Sequence, residues 1–186
     1  MRIITGRAKG LTLKAPTGNK TRPTADRIKE SLFSILTGMM DFGGKTVLDL
    51  FAGTGALGLE AISRGAANCT FVDLETFGLI KDNVNRAHFE EESEIIGGEV
   101  FKVIKRLHKN NRQYDLIFCD PPYHLGLWQH ALIDIDKHEM LNPEGIMIVE
   151  HGTDEELEAE LLNLEVIRQV KYGHTTSIDI YERKVE

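Results

Sequence analysis

The stretch Thr46-Val47-Leu48-Asp49-Leu50-Phe51-Ala52-Gly53-Thr54-Gly55-Ala56-Leu57-Gly58 decides the fold. Its first half is an apolar run that reads as a buried strand, and the pattern over 56–64 reads as a helix. A strand that runs through glycines straight into a helix opens a nucleotide-binding α/β unit. Glycine permits a tight turn and close approach of a ligand, and the helix amino terminus offers oriented N–H groups. Gly53, Gly55 and Gly58 spell GxGxxG, and Asp73 lies 20 residues beyond Gly53. On spacing alone a dinucleotide is therefore a serious rival. Asp49 tips the balance. It stands four residues before the first glycine, where a pyrophosphate would be repelled. S-adenosylmethionine has no phosphate, and its sulfonium and ammonium are favoured by a nearby carboxylate. The expected cofactor-binding residues of this loop are Asp49, Phe51, Ala52, Gly53 and Gly55. Asp73 is expected to accept from ribose hydroxyls. Glu99 is expected to accept from the adenine amine, or else to cap the helix that follows it.

Outward from the loop, apolar runs at 46–51, 69–74, 94–98, 114–119 and 145–150 alternate with helical patterns at 56–64, 76–89, 100–109 and 127–140. Several runs are apolar on successive residues, as in strands of a parallel sheet covered by helices on both faces. The end changes character. A short helix is expected near 154–162, then strands at 166–172 and 177–181 as an antiparallel pair closing the sheet edge. At the other end, residues 2–15 read as a hairpin, with Ile3, Ile4, Leu11 and Leu13 flanking a Gly6–Gly10 turn. Thr24 is the expected N-cap of a helix running to about Leu36, with Ile28, Leu32, Phe33, Ile35 and Leu36 on one face. The fold class is α/β and Rossmann-like, with a basic arm over 1–23 and one domain over 24–186.

The second decisive element is Asp120-Pro121-Pro122-Tyr123, directly after an apolar run. Two prolines lock the backbone and remove two N–H donors, leaving carbonyl acceptors fixed at the carboxyl edge of the sheet. An aryl amine is a poor nucleophile because its lone pair is delocalised into the ring. The Asp120 carboxylate and the Pro121 carbonyl together accept its two hydrogens and aim the lone pair at a methyl group. Tyr123 supplies a ring for a flipped-out base. Asp120, Pro121, Pro122 and Tyr123 are the expected catalytic residues. Cys119 beside them reads as core, and His124 is a candidate for the pocket mouth.

Composition bounds the alternatives. At 186 residues with 41% hydrophobic and 27% charged residues, the chain suits one domain. No run approaches a membrane span, and the first residues carry no signal-peptide pattern, so a cytoplasmic protein without a membrane partner is expected. Two distant cysteines and scattered histidines give no metal-site spacing. The net charge of -7 hides an asymmetry: residues 1–30 hold eight basic side chains against two acidic ones, a net of +6. A cationic end on an acidic body suits contact with phosphates.

Four elements occur here in the order found in RsmD-type small-subunit ribosomal RNA guanine-N2 methyltransferases, which the chain resembles along essentially its whole length. They are Arg2-Ile3-Ile4 with Gly6 and the Gly10-Leu11-Leu13 hairpin; Arg22-Pro23-Thr24 with Asp26-Arg27 and Phe33; the 49–58 loop; and Asp120-Pro121-Pro122-Tyr123. Tyr172-Gly173 and Thr175 resemble the family's tail. The resemblance implies a seven-stranded class I methyltransferase fold with an antiparallel last strand. It implies S-adenosylmethionine as cofactor, with Asp49, Gly53 and Gly55 on its methionine portion, Asp73 on the ribose and Glu99 on the adenine. It implies transfer to a guanosine N2 amine held by Asp120 and Tyr123. It also implies small-subunit rRNA or the assembled subunit as partner, touched by the basic residues Arg2, Arg7, Lys9, Arg22 and Arg27, and a monomer is expected. Two departures stand out: Glu99-Val100 replaces a Gly-Asp-Ala-like context, and Asp73 is shorter than the more usual Glu. Asp-Pro-Pro-Tyr serves planar amines alike, so adenine N6, a protein glutamine amide, or a non-catalytic rRNA-binding assembly role stay open as alternatives.

Overall fold

The alternation of apolar runs and amphipathic segments folds as a three-layer α/β sandwich. The computed structural model describes residues 1–18 and 23–185. Along the chain, helix α1 (Pro23–Met39) is followed by β1 (Thr46–Leu50), α2 (Ala56–Ser63), β2 (Asn68–Asp73), α3 (Phe77–Ala87) and β3 (Ser93–Gly97). Then come α4 (Val100–Lys109), β4 (Tyr114–Cys119), α5 (Leu127–Lys137), β5 (Leu141–Gly152), β6 (Leu164–Tyr172) and β7 (Thr176–Arg183). The seven strands lie in the order β3-β2-β1-β4-β5-β7-β6. The first five are parallel, and β7 runs antiparallel to both β5 and β6. The expected antiparallel pair therefore forms, but the last strand inserts beside β5 and leaves β6 at the edge. Strand order reverses between β1 and β4, which opens a crevice at their carboxyl ends.

Side-chain alternation divides the core into two layers. Val47, Phe71, Leu116, Phe118, Ile146 and Ile148 pack with Leu32, Phe33 and Leu36 of α1 and Leu59 and Ile62 of α2. Leu48, Leu50, Val72, Ile117, Met147 and Val149 pack on the other face with Val103 and Ile104 of α4 and Leu132 and Ile135 of α5. Continuing the same alternation, Asp49, Asp120 and Glu150 fall on the α1–α2 side. Cys69 and Cys119 are buried in this packing as core residues, and burial pushes both thiols up.

Three local expectations are corrected. Helix α1 begins at Pro23, so Thr24 lies inside it rather than capping it; proline fits a first helical turn because its missing N–H has no partner there. Residues 1–13 fold back antiparallel through Ile3 N–H to Leu11 O and Leu13 N–H to Met1 O, but only one isolated bridge, Arg2 with Thr12, replaces the expected β-hairpin. No helix forms over 154–162, because the acids that would open it cap other groups. Glu155 accepts from the backbone of His124 and Gly152 and from the Trp128 indole, and Asp154 takes the His124 ring. His124 is thereby held exposed at the surface.

The amino-terminal segment is anchored rather than trailing. Ile3 and Leu13 are buried in the α1–α2 core layer. Glu60 of α2 is fully buried and accepts from the backbone of Ile4 and Thr5. Lys29 of α1 closes the arrangement, donating to the Arg2 carbonyl at 2.8 Å and to Glu60 at 3.2 Å.

Candidate active site

The glycine loop is built by two close approaches. Gly55 caps α2 with φ 81°, a left-handed conformation that an L side chain adopts only with strain. At Gly58 a Cβ would meet Phe71 at 2.4 Å and Cys69 Sγ at 2.6 Å, so glycine is what lets α2 lie against β2. Phe51 is also left-handed, at φ 55°, which costs an aromatic residue on the order of 1–3 kcal/mol and marks a backbone bent for a reason. The bend turns the chain from β1 across the crevice, with Ala52 N–H donating to Val72 O at 3.0 Å.

Asp49 sits beneath this loop, 1% exposed, with Oδ2 accepting from the Gly58 N–H at 3.0 Å. Burial pushes its carboxyl up to about 8, against the pull of the Gly58 N–H, and the Asp73 charge adds to the rise. Asp73 closes β2 and holds the loop. Its Oδ2 accepts from the Gly53 N–H at 3.0 Å, and its Oδ1 accepts from the N–H groups of Glu75 and Thr76 at 2.9 Å. Glu99 is the N-cap of α4, accepting from the N–H groups of Phe101 at 3.0 Å and Lys102 at 3.1 Å.

Across the crevice, Asp120 follows β4 and Glu150 lies near the end of β5. Tyr123 donates its hydroxyl to Glu150 Oε1 at 2.7 Å and lies 3.1 Å from Thr176 Oγ1. Burial, then the charges of Glu150 and Asp49, then a hydrogen bond with Glu150 hold the Asp120 carboxyl well above the usual range. The Tyr123 phenol is also raised, chiefly by burial. Pro121 is buried behind the loop and Pro122 is exposed.

One cavity of about 820 Å³ joins the two sides. It brings together Asp49, Phe51, Ala52 and Gly53 with Asp120 and Tyr123, all expected from sequence, under Ile28, Lys29 and Leu32 of α1. Gly55, Asp73, Pro121 and Pro122 do not line it but shape the loops that do, and Glu99 stands apart from it at the amino terminus of α4. Glu150, Thr175 and Thr176 line it without having been expected. The signal for Glu150 was its place at the end of an apolar run, parallel in pattern to Asp120 after its own run.

Three carboxyl groups facing one cavity decide its ligand chemistry. A pyrophosphate would meet Asp49, Asp120 and Glu150 together, which rules against the dinucleotide reading of GxGxxG. A ligand carrying an ammonium and a sulfonium instead compensates a buried acid, so the residues fit S-adenosylmethionine. The family described as Conserved hypothetical protein 95 matches residues 1–182. The chain belongs to this family. Its relative YlbH of Bacillus subtilis (strain 168) is 36% identical over 186 residues, covering 99% of this chain and 100% of YlbH. Ribosomal RNA small subunit methyltransferase D of Haemophilus influenzae is 34% identical over 160 residues, 84% of this chain and 81% of its own length. The solved structure of yhhF from Escherichia coli matches with a TM-score of 0.81 at 26% identity, covering 100% of this chain and 99% of yhhF. The strand order with its inserted antiparallel β7 is that of class I S-adenosylmethionine-dependent methyltransferases, and the RsmD/YlbH family is one of them.

Three of the eight basic residues counted at the amino-terminal end are already paired. Arg7 bonds Glu92 at 2.8 Å and stacks over Phe89, Lys14 bonds Asp82 at 2.9 Å, and Lys29 is buried on Glu60. Among the described residues, Arg2, Lys9 and Arg27 are exposed basic residues of this end without such a partner. Arg22 lies outside the described residues.

Proposed function

We propose that this methyltransferase moves a methyl group from S-adenosylmethionine to the exocyclic N2 amine of a guanosine in small-subunit ribosomal RNA. The observation that carries the reading is the single cavity shared by Asp49 and Gly53 on one side and Asp120 and Tyr123 on the other. The cofactor supplies an electrophilic methyl carbon on its sulfonium. Asp49 and the backbone of Gly53 hold its methionine portion, with the α2 amino terminus behind them. Asp73 keeps one free acceptor direction for a ribose hydroxyl after its three backbone bonds. Glu99, engaged as a helix cap, is left with only its remaining lone pairs for the adenine.

On the acceptor side, Asp120 and the Pro121 carbonyl take the two amine hydrogens, and the rigid Pro121-Pro122 backbone fixes their direction. As the N–C bond forms and the methyl–sulfur bond breaks to leave a neutral thioether, the nitrogen becomes acidic, and Asp120 takes the departing proton. An acid raised by its surroundings is a stronger base once ionised, which suits that step. Tyr123, with its hydroxyl tied to Glu150, offers its ring to the base. Arg2, Lys9 and Arg27 support a phosphate-bearing partner, as does kinship with a ribosomal RNA small subunit methyltransferase.

Tritiated S-adenosylmethionine, given small ribosomal subunits from cells lacking this protein, is expected to leave label in N2-methylguanine. Label confined to adenine or to protein defeats the guanine reading.

A further inference from the structure

Asp120 has an acidic neighbour at the acceptor end of the cavity. Cys119 of β4 pairs with Val149 of β5, so the residues that follow, Asp120 and Glu150, stand side by side beyond that pair. Both line the cavity with Tyr123 and Thr176. Glu150 Oε1 already accepts from the Tyr123 hydroxyl, and the neighbouring Glu150 carboxyl helps to raise that of Asp120.

Two adjoining carboxyl groups repel unless they share a proton or meet donors. Lys29, the ammonium lining the same cavity, is held by Glu60 and the Arg2 carbonyl. The acceptor end therefore has more acceptors than donors. A base that fits it presents donors on adjacent atoms of one edge. Guanine does so, with N1–H next to the N2 amine. Adenine sets an acceptor, N1, next to its N6 amine, and a carboxylate faces that lone pair unfavourably. A glutamine amide has no second donor group at all.

We propose that Glu150 is a specificity-determining residue whose carboxylate accepts the N1–H of guanine while Asp120 accepts from the N2 amine. The inference rests on the guanine-N2 reading and assigns that reading's selectivity to one side chain. Discrimination follows from an unmet polar group, which rejects the wrong partner far more strongly than shape alone. Holding Tyr123 is a separate task of the same carboxylate, so the two tasks can be told apart.

The test uses full-length protein, tritiated S-adenosylmethionine and small subunits carrying either guanosine or adenosine at the labelled position. The wild type is expected to prefer guanosine by about 10⁴ in kcat/KM. Glu150→Gln is expected to lower the guanosine rate by at least about 30-fold and to cut the preference to about tenfold or less, because an amide N–H can donate to adenine N1. Its binding of S-adenosylhomocysteine is expected to stay within about threefold, which shows an intact fold. Tyr123→Phe, which breaks the bond to Glu150 but keeps its carboxylate, is expected to lose rate and retain the preference. If Glu150→Gln loses activity with the preference unchanged, or keeps full guanosine activity, Glu150 does not read the base. If the wild type itself methylates adenine, the guanine reading fails first, whatever Glu150 does.

Discussion

The two sides of the cavity handle their acids in opposite ways. On the β1–β2 side the carboxylates are already bonded to the protein's own backbone: Asp73 to three N–H groups, Asp49 to that of Gly58. On the β4–β5 side Asp120 and Glu150 face each other, with the Tyr123 hydroxyl donated to Glu150. The first side is a finished cradle whose geometry does not wait for a ligand. The second sets two acidic side chains side by side, and on the proposed function a planar amine supplies the hydrogen-bond donors they accept. Preorganisation suits a cofactor that must be held in one pose, and unmet acceptors suit a base whose hydrogens must be drawn away.

The sharpest way to break this contrast is Asp120→Ala. It should lower kcat by about 10³ while leaving S-adenosylhomocysteine affinity within about tenfold, because the lost acceptor acts on the base and its proton. Calorimetric titration of the cofactor product beside single-turnover rates checks it; if affinity collapses together with rate, Asp120 belongs to the cradle.

Asp49→Asn probes the other side and should lower cofactor affinity by about 10². It should also change stability, with a definite sign. The folded carboxyl is raised from 3.8 to about 8, so its contribution to stability is present below the lower value and is lost as pH rises to the upper one. The variant should therefore be more stable than the wild type at pH 9, by on the order of 2–4 kcal/mol, and equal to it near pH 4. Urea unfolding at several pH values measures this, and parallel curves for the two proteins contradict it.

A smaller effect sharpens the contrast further. Because Asp120 must be ionised to accept, kcat/KM should climb with pH along a limb lying above the ordinary carboxylate range. A profile that stays flat down into the ordinary carboxylate range would mean that the Asp120 carboxyl is not raised in the working enzyme.

The smallest effect concerns the basic end. Lys9→Ala should reduce the slope of log affinity against log salt by about one, whereas Arg7→Ala should change it less, since Arg7 already bonds Glu92. Equal slopes for both variants would show that the Glu92 pair opens when RNA binds.

Much of this was legible in the chain itself. Apolar runs over 46–51, 69–74 and 114–119 announced parallel strands, and glycines after the first of them announced the cradle. The register could not be read, because which strands neighbour each other is settled by long-range packing. That is why Glu150 looked like any polar residue closing a strand until β5 lay against β4. The same limit applies to the charge count: Lys29, Arg7 and Lys14 add to one cationic end, yet their partners Glu60, Glu92 and Asp82 lie tens of residues away. The expected helix over 154–162 failed for a local reason of the same kind. Asp154 and Glu155 found stronger partners in the loop after β4 than a helix terminus offers.

The ion pair under α1 has a mechanical meaning. Because Lys29 and Glu60 clamp the backbone of residues 2, 4 and 5 onto two helices, Arg2 is held at a set span from the cavity floor and Arg27 rides on α1 itself. On the proposed function, such a rigid caliper is expected to admit a folded nucleic acid whose phosphates and protruding base match one separation.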